Sequence, residues 1–415
     1  MRELSALIGD TGNMGAARLA EQIIVVLSWT LTLAWLLHAI AAWRGMATLP
    51  DLTRMDPVAP GELGDGNGPD VTVIVAACNE EKSIEATLRS LLAQEGVRLE
   101  IFAVDDRSID RTGACMERVA EGATAGSAPH RLRVMHIQEL PAGWLGKPHA
   151  MALPARQATS AWLLFTDGDV LFDPRALELA LRHAQSERAD HLVLVPSLIL
   201  ETMAEAAMLA AMNVLGQWTL RLWKVADPRA RDFMGVGGFN LIRREVYTRL
   251  GGFEAIRMEV VDDLRLGWMV KRAGYRQRVA LGPGLVRIRW LQGALGAVHL
   301  AEKNGFAAFR FRIGWALFAG LALLVQAFLP LVAMAYGGWG LAAGLLTYVS
   351  IGLTYEANRK VTRSTPWLAV FFAPAVAIIF YAGMRSMVLA LVRKGVDWRG
   401  TRYPLDELKR NAGRW

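Results

Sequence analysis

The chain has 415 residues, enough for one sizeable catalytic domain and a further region. Apolar residues make up 53% and the mean hydropathy is +0.25, high for a soluble enzyme, yet 20% of residues are charged, so charges and apolar runs must occupy different parts of the chain. Lys and Arg exceed Asp and Glu by seven without a basic stripe interleaved with aromatics, which argues against nucleic acid and for headgroup-facing cytoplasmic surface. Cys78 and Cys115 offer neither metal spacing nor a disulfide framework, and the scattered histidines exclude a zinc motif.

Residues 1–21 form an N-terminal segment. Residues 22–43 are an apolar run of spanning length, too deep and too long for a cleaved signal peptide, with Trp29, Trp35 and Trp43 suited to the interfaces. They read as a retained anchor. Residues 44–69 are a linker, rich in Pro, Gly and Asp from Pro50 onward. Strands are predicted over 71–77, 100–104, 132–136 and 162–166, with helical spacing over 81–94 and 110–120. This alternation predicts an α/β domain over 70–300 with a mostly parallel sheet, whose ligands sit beyond the carboxyl ends of its strands.

Those strand ends carry Cys78-Asn79-Glu80-Glu81, then Asp105-Asp106-Arg107-Ser108 with Asp110, then Asp167-Gly168-Asp169. Taken singly, Asn-Glu is a helix cap and Asp-Gly-Asp a turn. Gathered on one rim, the carboxylates repel unless a cation neutralises them. A hard divalent ion shares such carboxylates with diphosphate oxygens. No glycine-rich phosphate loop offers another route.

Residues 204–225 alternate small and apolar side chains, with Trp218, Arg221, Trp223 and Lys224 towards one end. They read either as a core helix or as an interfacial helix holding the domain against the bilayer. Asp262 and Asp263 open a helical pattern, as an acid-decorated helix start or as the base that takes a proton from an attacking hydroxyl. Val286-Arg287-Ile288-Arg289-Trp290 is an amphipathic strand or a degenerate acceptor motif.

Apolar runs over 313–336, 338–356 and 367–392 make 301–396 a second membrane region, the first two forming a hairpin around Gly337-Gly338 with Pro330 a kink. The positive-inside rule places 44–312, the basic 358–363 loop and the basic tail 397–415 in the cytoplasm. Four full spans would leave that tail outside. A re-entrant hairpin within 367–392, broken near Arg385, reconciles the count.

The ordered series Asn79-Glu80, Asp105-Asp106-x-Ser108-x-Asp110, Gly146-Lys147-x-x-Ala150, Asp167-x-Asp169, Gly238-x-x-x-x-Arg243-Arg244, Gly251-Gly252-Phe253 and Asp262-Asp263-x-x-Leu266 resembles the family 2 glycosyltransferases with a GT-A fold. The flanking spans and Gly143-Trp144-Leu145-Gly146-Lys147 resemble its lipid-acceptor branch, which includes ceramide, carotenoid and hopanoid-associated enzymes. The resemblance implies an inverting, non-processive, Mg²⁺- or Mn²⁺-dependent transfer from a nucleotide diphosphate sugar, UDP-linked, to a hydroxyl of a membrane lipid. With the positive-inside placement above, this predicts a multi-pass protein of the cytoplasmic membrane with its catalytic domain in the cytoplasm.

By the same resemblance Asp105 or Asp106 holds the uridine, and Asn79, Glu80, Lys147 and Asp167 help bind the nucleotide. Asp169, assisted by Asp167, ligates the metal. Asp263 is the base beside Asp262, which stands where the family has Glu. Arg289-Trp290 keeps the end of the family's acceptor motif, but Val286 departs from its first position, which weakens any reading of polymer synthesis. Trp218 and Trp223 join them as acceptor-side candidates. A processive polysaccharide synthase and a non-catalytic lipid-binding or transport protein are the alternatives, the second disfavoured by the scarcity of acids inside the apolar runs.

Overall fold

The computed structural model describes residues 2–55, 70–124, 130–291, 293 and 295–411. A long helix, α1 (Arg2–Ala47), leads into the α/β domain. There follow β1 (Val71–Ala77), α2 (Ile84–Leu92), β2 (Leu99–Asp106), α3 (Thr112–Thr124), β3 (Arg131–Ile137), α4 (Gly146–Ala155), β4 (Trp162–Asp167), β5 (Val170–Phe172), α5 (Ala176–Ser186), β6 (His191–Val195) and β7 (Ser197–Leu198). Next come α6 (Met203–Gly216), β8 (Asn240–Arg243), α7 (Arg244–Arg249), α8 (Asp262–Arg272), β9 (Gln277–Leu281) and β10 (Val286–Ile288). The C-terminal part holds α9 (Gly296–Ala308), α10 (Ile313–Met334), α11 (Gly338–Ala357), α12 (Arg359–Thr362), α13 (Phe372–Val392), β11 (Gly395–Trp398), β12 (Thr401–Pro404) and α14 (Leu405–Asn411).

Seven strands form the main sheet in the order β3-β2-β1-β4-β8-β6-β9. Neighbours from β3 to β4 are parallel, and β8 runs antiparallel between β4 and β6. The fold is the mostly parallel α/β sheet that the sequence predicts. Every residue of β1 is buried, as expected for a strand covered by helices on both faces. Val71, Val73 and Val75 point into one apolar layer with α2, α3 and α5; Ile74 and Ala76 point into the other with α4, α7 and α8.

Register sets the rim. Ala77 lies opposite Asp105, and Ala76 opposite Asp167, so the ends of β1, β2 and β4 open at one level. In a second, small sheet β10 pairs with β5, and Ile288 faces Val170 directly after the Asp-Gly-Asp turn.

Outside the domain, the helices 15–47, 313–334 and 366–392 are long and apolar enough to cross a membrane. Large apolar side chains such as Leu33, Leu37, Phe318, Leu321 and Val388 are exposed on them. α1 packs along α11 through small and hydroxyl residues: Thr32 Oγ1 bonds the Ala343 carbonyl and the Thr347 hydroxyl, each at 2.9 Å.

Several boundaries differ from the sequence reading. The first helix begins well before residue 22, because the polar N-terminal segment continues the same helix. The helix expected over 204–225 ends at Gly216, where Gln217 turns away to pair with Asn358. It is a packed helix, with Met208, Leu209 and Ala211 buried among Trp35, Tyr355 and Phe372. The expected break near Arg385 is absent: α13 runs through it unbroken, since the Arg385 charge is matched by Glu302 of α9. Of the linker, 56–69 lie outside the described residues.

Both ends of α13 attach near the catalytic domain. Ahead of it, Lys360 reaches Asp51 at 3.5 Å and Val361 packs on Met46, Val193 and Leu281. Its first residue, Phe372, meets Trp35 of α1 with ring centroids 5.5 Å apart. Beyond its other end, Val396, Trp398 and Tyr403 are buried with Leu145 and Met258 of the domain.

Candidate active site

At the rim, the loop after β1 is tied to the loop after β2. The Asn79 N–H donates to Ser108 Oγ at 3.0 Å, and Asn79 Oδ1 accepts from the Ile109 N–H at 2.9 Å. The Glu80 N–H donates to Thr112 Oγ1 at 2.7 Å, and Ser83 Oγ donates to the Glu80 carboxylate at 2.8 Å. Asn79 holds the loops together in a left-handed conformation, φ 58°, that Asn tolerates. Glu80 is the member whose carboxyl faces the site: burial raises its pKa, and Asp167 raises it further, against the Ser83 hydrogen bond and Arg399.

The two aspartates ending β2 go different ways. Asp105 accepts from the Ser108 N–H at 3.2 Å and contacts His136 Nδ1 at 3.0 Å. Asp106 is fully buried, held by Arg107 Nε at 2.8 Å and Arg399 Nη1 at 3.0 Å. Gly146 starts α4 because a Cβ there would run into Asp106 Oδ2 and the Arg107 guanidinium.

Lys147, in the first turn of α4, is the hub. Its Nζ lies 2.6 Å from Asp167 Oδ1 and 3.9 Å from Asp262 Oδ2. Burial works against its charge, but Asp167, Asp262 and Asp263 outweigh burial and lift its pKa above the ordinary value. One ammonium thus joins the Asp-Gly-Asp turn to the start of α8. The Gly-rich 235–239 segment closes over them: a Cβ on Gly237 would collide with Asp167 Oδ2, and one on Gly235 with the Asp263 carbonyl.

The neighbouring carboxyls feel the crowding. Asp169 is pushed up to about 7, first by burial and then by the charges of Asp167 and Glu80. Asp263 is raised by burial, against the pull of Lys147 and of the Leu264 N–H, which donates to its Oδ1 at 2.7 Å. A buried, elevated carboxyl is suited to accept a proton near neutral pH.

Among the described residues, no group of three or more His, Cys, Asp or Glu side chains forms a metal site by itself. Asp167 and Asp169 are hard oxygen donors in surplus negative charge, which fits Mg²⁺ or Mn²⁺ completing its shell with phosphate oxygens and water.

The structure therefore brings together Glu80, Lys147, Asp167, Asp169, Asp262 and Asp263. Of the acceptor-side candidates, Trp218 and Trp223 lie against α1 instead. Trp218 stacks on His38 at 4.5 Å between ring centroids, and Trp223 packs against Gly45, both on α1. Arg289 lies one residue past the Ile288–Val170 pairing, but its guanidinium turns to Glu201 at 2.6 Å, and Trp290 is exposed. Arg399 and Arg107 are the site residues that the sequence did not single out; nothing in local spacing marks an arginine that meets its partner 293 positions away.

The chain is 25% identical over 198 residues to a 4,4'-diaponeurosporenoate glycosyltransferase of Staphylococcus aureus strain MRSA252, covering 48% of this chain and 50% of the relative. Against the enzyme of the same description from strain USA300 it is 25% identical over 200 residues, with 48% and 50% covered. The chain thus spans about half the length of these curated relatives. Its fold resembles the mannosyltransferase PcManGT of Pyrobaculum calidifontis, solved with GDP-Man and Mn²⁺, at a TM-score of 0.51 and 20% identity over 89% of this chain and 99% of that one. The profile of the family described as glycosyltransferase like family 2 matches residues 69–287, more than half of the chain, and the protein belongs to that family.

Proposed function

We propose that the protein transfers a sugar from a nucleotide diphosphate sugar, UDP-linked, to a hydroxyl of a membrane lipid of sphingolipid, hopanoid or carotenoid type, with inversion and without processivity. The observation that carries this reading is Lys147, which holds Asp167 at 2.6 Å and Asp262 at 3.9 Å, so that donor-side and base-side acids share one site. The lipid acceptor draws support from the carotenoid-type relatives and from apolar helices packed directly on the domain.

The acceptor oxygen attacks the anomeric carbon from the face opposite the diphosphate. The bond from that carbon to the diphosphate oxygen breaks, and the nucleoside diphosphate leaves with the bonding pair. Asp263 takes the hydroxyl proton, and its buried carboxyl is set for that exchange. Lys147 balances the Asp263 charge, and Asp262 helps hold Lys147 beside it. Asp169, with Asp167, would hold Mg²⁺ or Mn²⁺, whose charge offsets that of the leaving diphosphate. Glu80 borders the nucleotide.

The same reading places the domain on the cytoplasmic face of the cell membrane, with α1, α10 and α11 crossing. In it the unbroken α13 does not cross but lies with both of its flanks on the domain's side, which the attachments of Lys360 to Asp51 and Arg399 to Asp106 support. This keeps every basic segment on one side. The decisive experiment supplies labelled nucleotide sugars and membrane lipid extract to the purified protein with Mn²⁺ or EDTA. Transfer should need the ion and fall about 10²- to 10⁴-fold in Asp263→Asn; full turnover in that variant sinks the base assignment.

A further inference from the structure

Building on the glycosyltransferase reading above, we propose that the hairpin β11–β12 is a wall of the donor site and that Arg399 at its tip binds the nucleoside diphosphate. The hairpin does not hang free in solvent. Trp398, Tyr403, Leu405 and Leu408 are buried with Leu145 and Met258, Arg107 Nη1 donates to Thr401 Oγ1 at 2.8 Å, and the Gly146 N–H donates to the Tyr403 hydroxyl at 3.2 Å. Between the hairpin and the 139–144 segment lies a cavity of about 500 Å³, bordered by Arg107, Glu139, Trp144, Arg402 and Tyr403.

The turn itself singles out Arg399. Trp398 pairs with Thr401, so Arg399 and Gly400 form a two-residue turn, and both have positive φ, 49° and 72°. Asn or Gly is favoured at the first of these positions, and a long side chain is disfavoured there. The backbone therefore tolerates strain to deliver this guanidinium to one place. It arrives 3.0 Å from Asp106 Oδ2 and 3.4 Å from the Ala76 carbonyl, with the side chain 15% exposed.

Two guanidinium groups, Arg107 and Arg399, share the single Asp106 carboxylate, so neither has that partner to itself. The Arg399 charge acts on Cys78 and Glu80, at the end of β1 between β2 and β4. A nucleoside diphosphate laid along the rim from Asp106 to Asp167 passes this point. Its phosphates are negative, and a planar guanidinium can bind them through two parallel hydrogen bonds.

The test measures calorimetric binding of UDP and of GDP to the full-length protein in detergent with Mn²⁺. Arg399→Gln should weaken the tighter of the two at least tenfold, and Arg399→Lys, which keeps the charge but loses the fork, at least threefold. Arg393→Gln, just ahead of the same hairpin and paired with Asp397, should bind as the unaltered protein does. If thermal melting shows Arg399→Gln unfolded, Arg399→Lys decides. Unchanged affinity in a folded Arg399 variant overturns the inference, as does an equal loss in Arg393→Gln. Failure of the unaltered protein to bind either nucleotide overturns instead the glycosyltransferase reading on which the inference rests.

Discussion

Replacing Lys147 with Met removes the ammonium from among Asp167, Asp262 and Asp263 while leaving a side chain of similar length. At 2.6 Å and an effective dielectric of 20, the gross attraction to Asp167 alone is about 6 kcal/mol. Desolvation offsets much of that, and deleting one partner of a buried pair costs about 3–5 kcal/mol, chiefly through the charge left behind. Asp167 keeps 28% of its side-chain surface exposed, so the lower end applies. At about 2–4 °C for each kcal/mol in a domain of this size, melting should fall by about 6–12 °C.

The sign with pH separates this from a simple packing loss. The folded Lys147 pKa is raised above 10.5, so its own contribution is fully present below 10.5 and constant between pH 5 and 8. In the variant, the orphaned carboxyls relieve their repulsion by binding protons as pH falls. The deficit should therefore be largest at pH 8 and shrink towards pH 5. Tryptophan fluorescence melts in detergent measure both. A variant melting within about 2 °C of the unaltered protein at pH 8, or a deficit that does not depend on pH, refutes the assignment of Lys147 as charge hub.

Because Asp263 is raised by burial, the rate of transfer should decline on the acid side at a pH above the ordinary carboxylate value of 3.8; a profile flat down to pH 4 counts against it as the base. Gly237→Ala forces Asp167 and Lys147 apart, since the new Cβ meets Asp167 Oδ2 and lies 3.2 Å from Lys147 Nζ. Turnover should drop on the order of 10²-fold, as expected for a displacement of about 1 Å, and unchanged kinetics would remove the glycine loop from the site. Glu407→Cys should react with an impermeant thiol reagent only after the cells are opened, whereas Trp339→Cys, at the far turn between α10 and α11, should react in intact cells. The opposite pattern dismisses an α13 that has both flanks on the cytoplasmic side.

What the sequence could convey was set by local periodicity and short spacing. The continuous apolar run 71–77 specified a buried parallel strand, and the acids after three such runs marked one rim, because strand ends in a parallel sheet necessarily open at one edge. The Asp167 turn was legible from its place beside the other strand ends, and Asp262-Asp263 mainly from the family resemblance, but no pattern tells that Lys147 joins them. That depends on α4 and α8 packing over the same face of the sheet. Residues 204–225 stayed open for the converse reason: small and apolar side chains suit a bilayer surface and a helix buried against α13 equally well, and only packing can choose between them. Only the tertiary structure returns the tail to the domain. Arg399 meets Asp106 across 293 positions, a closure fixed by the apolar contact of Trp398 and Tyr403 with Leu145 and Met258 rather than by any local preference.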